Sequence, residues 1–118
     1  RSALYIPDSS SEITIVATRC EFANSKYGAV VHGGLTSATF NNCLLHGNAK
    51  DGIYAMRATI HLYGQGTAIH SNGACGMRAV VSPTKFLIHL PSNHNTSYNN
   101  GDEDRRAVAG GTITNVED

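Results

Sequence analysis

Asp51 and Asp104 are the two residues through which this chain would do acid–base chemistry. Glycoside hydrolysis needs two carboxylates placed across one bond. Tyr54, Arg78 and Arg106 are the residues suited to recognition: aromatic and guanidinium groups dominate interaction hot spots, and they also fit a sugar ring or a carboxylate. Six histidines invite a metal reading. His46 pairs by spacing with His70, and His61 with His89, but zinc needs three or four convergent ligands. Neither a metal nor any other cofactor is therefore expected. The run from Asp102 to Arg106, DEDRR, reads as a solvated, charged corner. No G-x-S-x-G, CxxC, HExxH or phosphate-binding loop is present.

What would position these residues is a repeat. Asn24, Asn48 and Asn72 are evenly spaced, and Gly28, Gly52 and Gly76 keep the same interval. A fourth copy carries Asn100 at a longer interval. After each Gly comes an apolar, variable, apolar triplet: Ala29–Val30–Val31, Ile53–Tyr54–Ala55, Met77–Arg78–Ala79. That is strand alternation, with one face in and one out. Asp51 and Asp104 then lie at nearby corner positions two coils apart, about 10 Å by the coil rise. Val30, Tyr54, Arg78 and Arg106 form one outward row. Arg78 on that row is expected to contribute under about 0.5 kcal/mol to stability. His32, Met56, Val80 and Val108 are expected to face the core or the next turn.

Short strands, a period in the low twenties and little helical periodicity predict an all-β solenoid of about four to five coils of roughly 24 residues. The coils are expected at about 12–34, 35–58, 59–86 and 87–110 of a single domain, 1–118, with the first 11 residues fitting less well. GGTITNV near the C-terminus would begin a fifth coil. The repeated IHL, at Ile60–Leu62 and Ile88–Leu90, places all four extra residues of the longer coil before Ile88, in a loop at Pro83. Asn24, Asn48, Asn72 and Asn100 are expected to stack at one left-handed corner, each bonded to the next, with the following Gly relaxing the backbone. Phe22 and Tyr98 are expected on the ring-bearing rung of His46 and His70. In the first coil the spacing leaves the register open by one residue, enough to exchange inside for outside.

NAKDGIYA and NGACGMRA resemble the N-x-x-x-G-apolar-x-apolar signature of right-handed parallel β-helix repeats. These occur in pectate-lyase-like enzymes and in non-catalytic β-helix modules of adaptor proteins. The resemblance covers about Glu12 to Val108 and implies the right hand of the coil. It also implies what a lyase would need: Ca²⁺-binding carboxylates from several successive coils. At the positions stacked on Asp102 stand Lys26, Lys50 and Ala74, and on Glu103 stand Tyr27, Asp51 and Cys75. Only Asp51 among them is acidic. The leading expectation is thus a non-catalytic β-helix module that presents a ladder surface to a protein or other ligand. The alternative is a carbohydrate-active β-helix: a lyase, hydrolase or epimerase acting on acidic polysaccharide.

Nine basic and nine acidic residues cancel, which removes the long-range field used by nucleic-acid and anionic-lipid binders. No apolar run approaches the roughly 20 residues of a membrane span. The partner expected is a protein or a polysaccharide, with no nucleic acid and no membrane. The chain opens on Arg1, as an excised piece of a longer protein would. Cys20, Cys43 and Cys75 cannot all pair, favour a reducing, intracellular compartment, and read as small core or corner residues. Asn95–Thr96–Ser97 is a glycosylation triplet of the kind that arises by chance. An ice-binding face would need Thr in one ladder, and Thr14, Thr39, Thr59 and Thr67 read as scattered. A solenoid exposes strand edges at both ends, so each end needs a cap or end-to-end association.

Overall fold

The computed structural model describes residues 1–93 and 96–117. The first coil holds β1 (Ser2–Ile6), β2 (Ile13–Thr18) and β3 (Glu21–Ala23). The second holds β4 (Tyr27–His32), β5 (Thr36–Asn41) and β6 (Leu44–His46). The third holds β7 (Ile53–Met56), β8 (Thr59–Tyr63) and β9 (Ala68–His70). The fourth holds β10 (Met77–Val80), β11 (Lys85–His89) and β12 (Ser97–Tyr98), and the fifth β13 (Arg105–Val108) and β14 (Thr112–Val116). Among the described residues the strands pair in parallel, and equivalent strands stack into three sheets. Sheet A runs β1-β4-β7-β10-β13, sheet B β2-β5-β8-β11-β14 and sheet C β3-β6-β9-β12. The all-β solenoid is therefore present, with about five coils. Residues 2–6, expected to fit poorly, pair in register with β4.

The core is a narrow column between the sheets. Inward positions of sheet A form the rows Leu4–Ala29–Ile53–Met77–Arg105 and Ile6–Val31–Ala55–Ala79–Ala107. Sheet B contributes Ile15–Ala38–Ile60–Phe86–Ile113 and Ala17–Phe40–Leu62–Ile88–Asn115. Sheet C adds Phe22–Leu45–Ile69–Ser97. From the second to the fourth coil the apolar members are wholly buried. Burying such a side chain is worth about 1.5–3 kcal/mol, so alternation alone specifies which face turns in.

All three corners turn through a left-handed residue. After sheet A these are Gly33, Arg57, Val81 and Ala109; after sheet B, Arg19, Asn42 and Gly64; after sheet C, Asn24, Gly47, Ser71 and Asn99. The third corner corrects the asparagine expectation. The left-handed residue sits one position before the ladder, and the ladder is Asn48–Asn72–Asn100. The Nδ2 of Asn48 donates to Asn72 Oδ1 at 2.9 Å, and that of Asn72 to Asn100 Oδ1 at 2.9 Å. β3 pairs with β6 at one residue less than the spacing of the later coils, so Ser25 takes the rung below Asn48. Its N–H donates to Asn48 Oδ1, leaving Asn24 at the turn.

Glycine is required beside this ladder by crowding, since none of Gly28, Gly52 and Gly76 has positive φ. A Cβ on Gly52 would lie 2.7 Å from the Gly76 carbonyl oxygen and 2.9 Å from Asn72 Nδ2. The same one-residue shift turns Phe22 inward against Phe40, and Ala23 takes the rung of His46. The repeated IHL is not in register either: His61 pairs with Leu87, two positions before His89. Inward burial of Phe86 and Ile88 decides that register over tripeptide identity. Two of the four extra residues precede β11 and two follow it.

Candidate functional site

Sheet A turns outward a single row that crosses all five coils: Tyr5–Val30–Tyr54–Arg78–Arg106. Tyr54, Arg78 and Arg106, expected from sequence as recognition residues, thus lie on one row, and Tyr5 joins them. Toward the N-terminal end the row is aromatic. Tyr5 lies edge-on to His32 at 5.9 Å, His32 is tilted against Tyr54 at 6.3 Å, and Tyr27 meets Tyr54 edge-on at 5.9 Å. Lys26 Nζ lies 6.0 Å from the Tyr27 ring centre. His32, Met56 and Val80 are half-buried and Val108 is exposed, so the flanking row points to solvent and not to the core as expected.

Toward the C-terminal end the row carries two guanidinium groups, each paired with carboxylates. Arg78 donates from Nε to Asp51 Oδ2 at 2.9 Å and from Nη2 to Oδ1 at 3.2 Å. Asp51 is 2 % exposed, and its Oδ1 also accepts the Cys75 N–H at 2.9 Å. The hydrogen bond to Asp51 raises the Arg78 pKa above its ordinary value. The pairing corrects the stability expectation for Arg78: its side chain faces outward, yet it neutralises a buried carboxylate. Arg106 meets Asp102 at 3.4 Å and Glu103 at 3.6 Å, both exposed contacts. Exposed pairs of this kind are worth about 0–1 kcal/mol.

Asp104 occupies the rung that Gly28, Gly52 and Gly76 hold in earlier coils, since Met77 N–H donates to its carbonyl as Ile53 N–H does to that of Gly76. Its Oδ1 accepts Asn100 Nδ2 at 2.9 Å and Asn100 N–H at 3.3 Å. Those two bonds repeat the pair that Asn48 donates, from N–H and Nδ2, to Asn72 Oδ1 in the next coil. Asp104 therefore closes the ladder. Asp51 and Asp104 each have a structural partner set of their own.

The other outer faces carry rings. His46, His70 and Tyr98 stack on sheet C at 5.0 and 5.1 Å with nearly parallel planes, and Glu21 Oε2 meets His46 Nε2. Burial and His46 together lower the His70 pKa. On sheet B, His61 Nδ1 lies 3.0 Å from His89 Nε2, with Tyr63 stacked on His89 at 4.1 Å. Burial and His89 lower the His61 pKa. Sheet B also aligns Thr14, Ser37 and Thr59 in one outward row, with Thr39 one row away and Thr67 buried inside. The scatter expected of the threonines is thus only partial. Among the described residues no three His, Cys, Asp or Glu converge as a metal set. Cys43 and Cys75 are buried and Cys20 is exposed; none is in a disulfide. Burial pushes the Cys43 thiol pKa up. Asn95 of the glycosylation triplet lies outside the described residues.

The aromatic cluster that Tyr5, Tyr27 and His32 form with Tyr54 was not foreseen from sequence. Tyr5 had a signal, the alternation of Ser2–Ile6, but its coil spacing differs from that of its neighbours. No family model, no curated protein and no solved structure matches this chain.

Proposed function

We propose that this chain is a non-catalytic β-solenoid module that binds an acidic segment of a protein partner along the outer face of sheet A. The observation that carries the reading is the Tyr5–Val30–Tyr54–Arg78–Arg106 row, aromatic at one end and lined by guanidinium groups at the other. Parallel stacking sets its side chains about 4.8 Å apart, a spacing that an extended chain can follow. Arg78 is held by Asp51, so little rotamer freedom is lost when it meets a carboxylate. Arg106 is half-buried and only loosely paired, which leaves part of its guanidinium available. The resemblance to right-handed β-helix repeats agrees with this reading, because non-catalytic modules share that signature. The carbohydrate-active alternative would need Asp51 and Asp104 as catalytic carboxylates. Their structural partners favour binding over catalysis.

The test is an amide-resolved NMR titration with an oligoglutamate peptide and, separately, an oligogalacturonate. The peptide should shift amides of β7, β10 and β13. Arg106→Ala should weaken it about tenfold, the scale of one modest hot spot. No shift on sheet A, or equal binding by Arg106→Ala, overturns the proposal. Binding of oligogalacturonate alone transfers the face to a polysaccharide. Unsaturated uronate released from polygalacturonate or alginate, with or without Ca²⁺, overturns the non-catalytic half.

A further inference from the structure

We propose that Cys20 and Cys43 are an oxidation site, at which a low-molecular-weight disulfide such as oxidised glutathione forms a bridge that staples the first coil to the second. The two residues share a rung. Thr18 pairs with Asn41 on one side of them and Glu21 with Leu44 on the other, at the same interval. The Leu44 N–H donates to the Cys20 carbonyl at 2.9 Å. Their side chains also point alike. Each thiol donates to the carbonyl two residues before it, Cys20 to Thr18 at 3.4 Å and Cys43 to Asn41 at 3.5 Å. The Cys43 thiol also reaches the Ala17 carbonyl of the first coil at 3.3 Å, one residue from the carbonyl that Cys20 uses.

That arrangement lies close to a disulfide. Residues on one rung stand about 4.8 Å apart. Disulfides span about 4.4–6.8 Å between Cα atoms and up to about 4.5 Å between Cβ atoms. The Cβ atoms therefore need to approach by only about 0.3 Å. β3 is an edge strand of its sheet, so the first coil can tilt toward the second. Rotation about χ1 then brings sulfur to sulfur. Burial divides the chemistry. Cys20 is exposed and meets the oxidant, while Cys43 is wholly buried. The Cys20 thiolate, its proton lost to solvent, attacks one sulfur of oxidised glutathione and releases a glutathione thiolate. The Cys43 thiolate, deprotonated in turn, attacks Cys20 Sγ and releases the second. Two protein thiols are oxidised and one glutathione disulfide is reduced. Burial raises the Cys43 pKa, which slows this closure at neutral pH. Cys75 lies between β9 and β10, at a different corner, and takes no part.

The test is incubation of the folded full chain with oxidised glutathione, then acid quenching, thiol alkylation and peptide mass spectrometry. Wild type should lose two of its three thiols, with Cys20 joined to Cys43 and Cys75 alkylated. Dithiothreitol should restore all three. Peptide mapping of wild type decides the pairing even where a variant fails to fold. Cys20→Ser, altered at an exposed position, should keep both remaining thiols, and Cys75→Ala should form the same bridge. Amides of β3 should exchange more slowly in the bridged chain than in the reduced one. Three alkylated thiols in wild type, a glutathione adduct that persists on Cys20, pairing with Cys75 or between chains, or equal β3 exchange in the two forms, each overturns the site.

Discussion

At the N-terminal end the inward rows finish on Leu4, Ile6, Ile15, Ala17 and Phe22. At the C-terminal end the same rows finish on Arg105, Ala107, Ile113, Asn115 and Ser97. Three rows that begin apolar thus end polar. Arg105 Nη1 reaches across from sheet A to Asn115 Oδ1 of sheet B at 2.8 Å, and Ser97 Oγ from sheet C to the Asp104 carbonyl at 2.7 Å. These bonds lay a hydrogen-bonded lid over the column. The first coil has apolar groups in the matching places, and Leu4, Ile15, Ala17 and Phe22 remain only partly buried. A stacked fold has no interior at its ends. The first coil leaves core side chains half wet; the last substitutes polar groups that bond to one another, with Ile113 still only partly buried beside them.

Four experiments break or sharpen this contrast between the ends, and between either end and the middle. The largest effect should come from Arg78→Ala. It strands the buried Asp51 carboxylate, and breaking such a pair costs about 3–5 kcal/mol. Arg106→Ala, next along the same row but at the end, should cost under about 0.5 kcal/mol. Equal denaturant midpoints for the two would mean that Asp51 finds another partner. Asn72→Leu should follow, at about 2–3 kcal/mol. It removes two side-chain amide donors and the acceptor used by Asn48, at about 1 kcal/mol each net of rearrangement. Asp104→Ala, at the ladder's exposed end, should cost about 1 kcal/mol by the same measurement. A larger loss there than at Asn72 would show that the cap, and not the ladder, holds the corner.

Arg105→Leu gives the C-terminal end the character of the N-terminal one. Losing the bond to Asn115 should cost about 1 kcal/mol and raise binding of a hydrophobic dye. Unchanged dye fluorescence would mean that the lid excludes no water. The smallest effect concerns pH. The fold favours neutral His70, whose pKa is lowered from 6.5. The unfolded chain therefore takes up the proton first, and this contribution is full above about pH 6.5 and lost as pH falls below it. His70→Phe keeps the ring stack, so its melting temperature should fall less than wild type's between pH 7 and 5. Parallel pH profiles would remove His70 as a source.

The middle of the molecule was legible in the sequence, and its first coil was not. From the second coil to the fourth, sheet A keeps a constant interval, so the inward Ile53 and Met77 and the outward Tyr54 and Arg78 could be assigned by alternation alone. Where β3 meets β6 the interval drops by one, which moves Asn24 to the turn and Phe22 to the core. IHL misled because identical residues need not share a rung. Backbone pairing and the burial of Phe86 set the register instead. The Asp51–Arg78 pair was hidden for a geometric reason. It joins diagonal positions in neighbouring coils, which no single repeat interval aligns.

The left-handed corners bear on how such a chain can change. A corner residue with positive φ reverses the chain locally, without help from its neighbours, so residues added beside it leave the strands on either side in place. The fourth coil already does this: two extra residues follow Val81, while Phe86 and Ile88 keep their seats above Ile60 and Leu62. Lengthening a surface loop costs only about 0.6 kcal/mol per doubling. Grafted segments between Val81 and Thr84 would thus decorate the scaffold at one chosen height, making coil length the dimension that can vary and coil stacking the one that cannot.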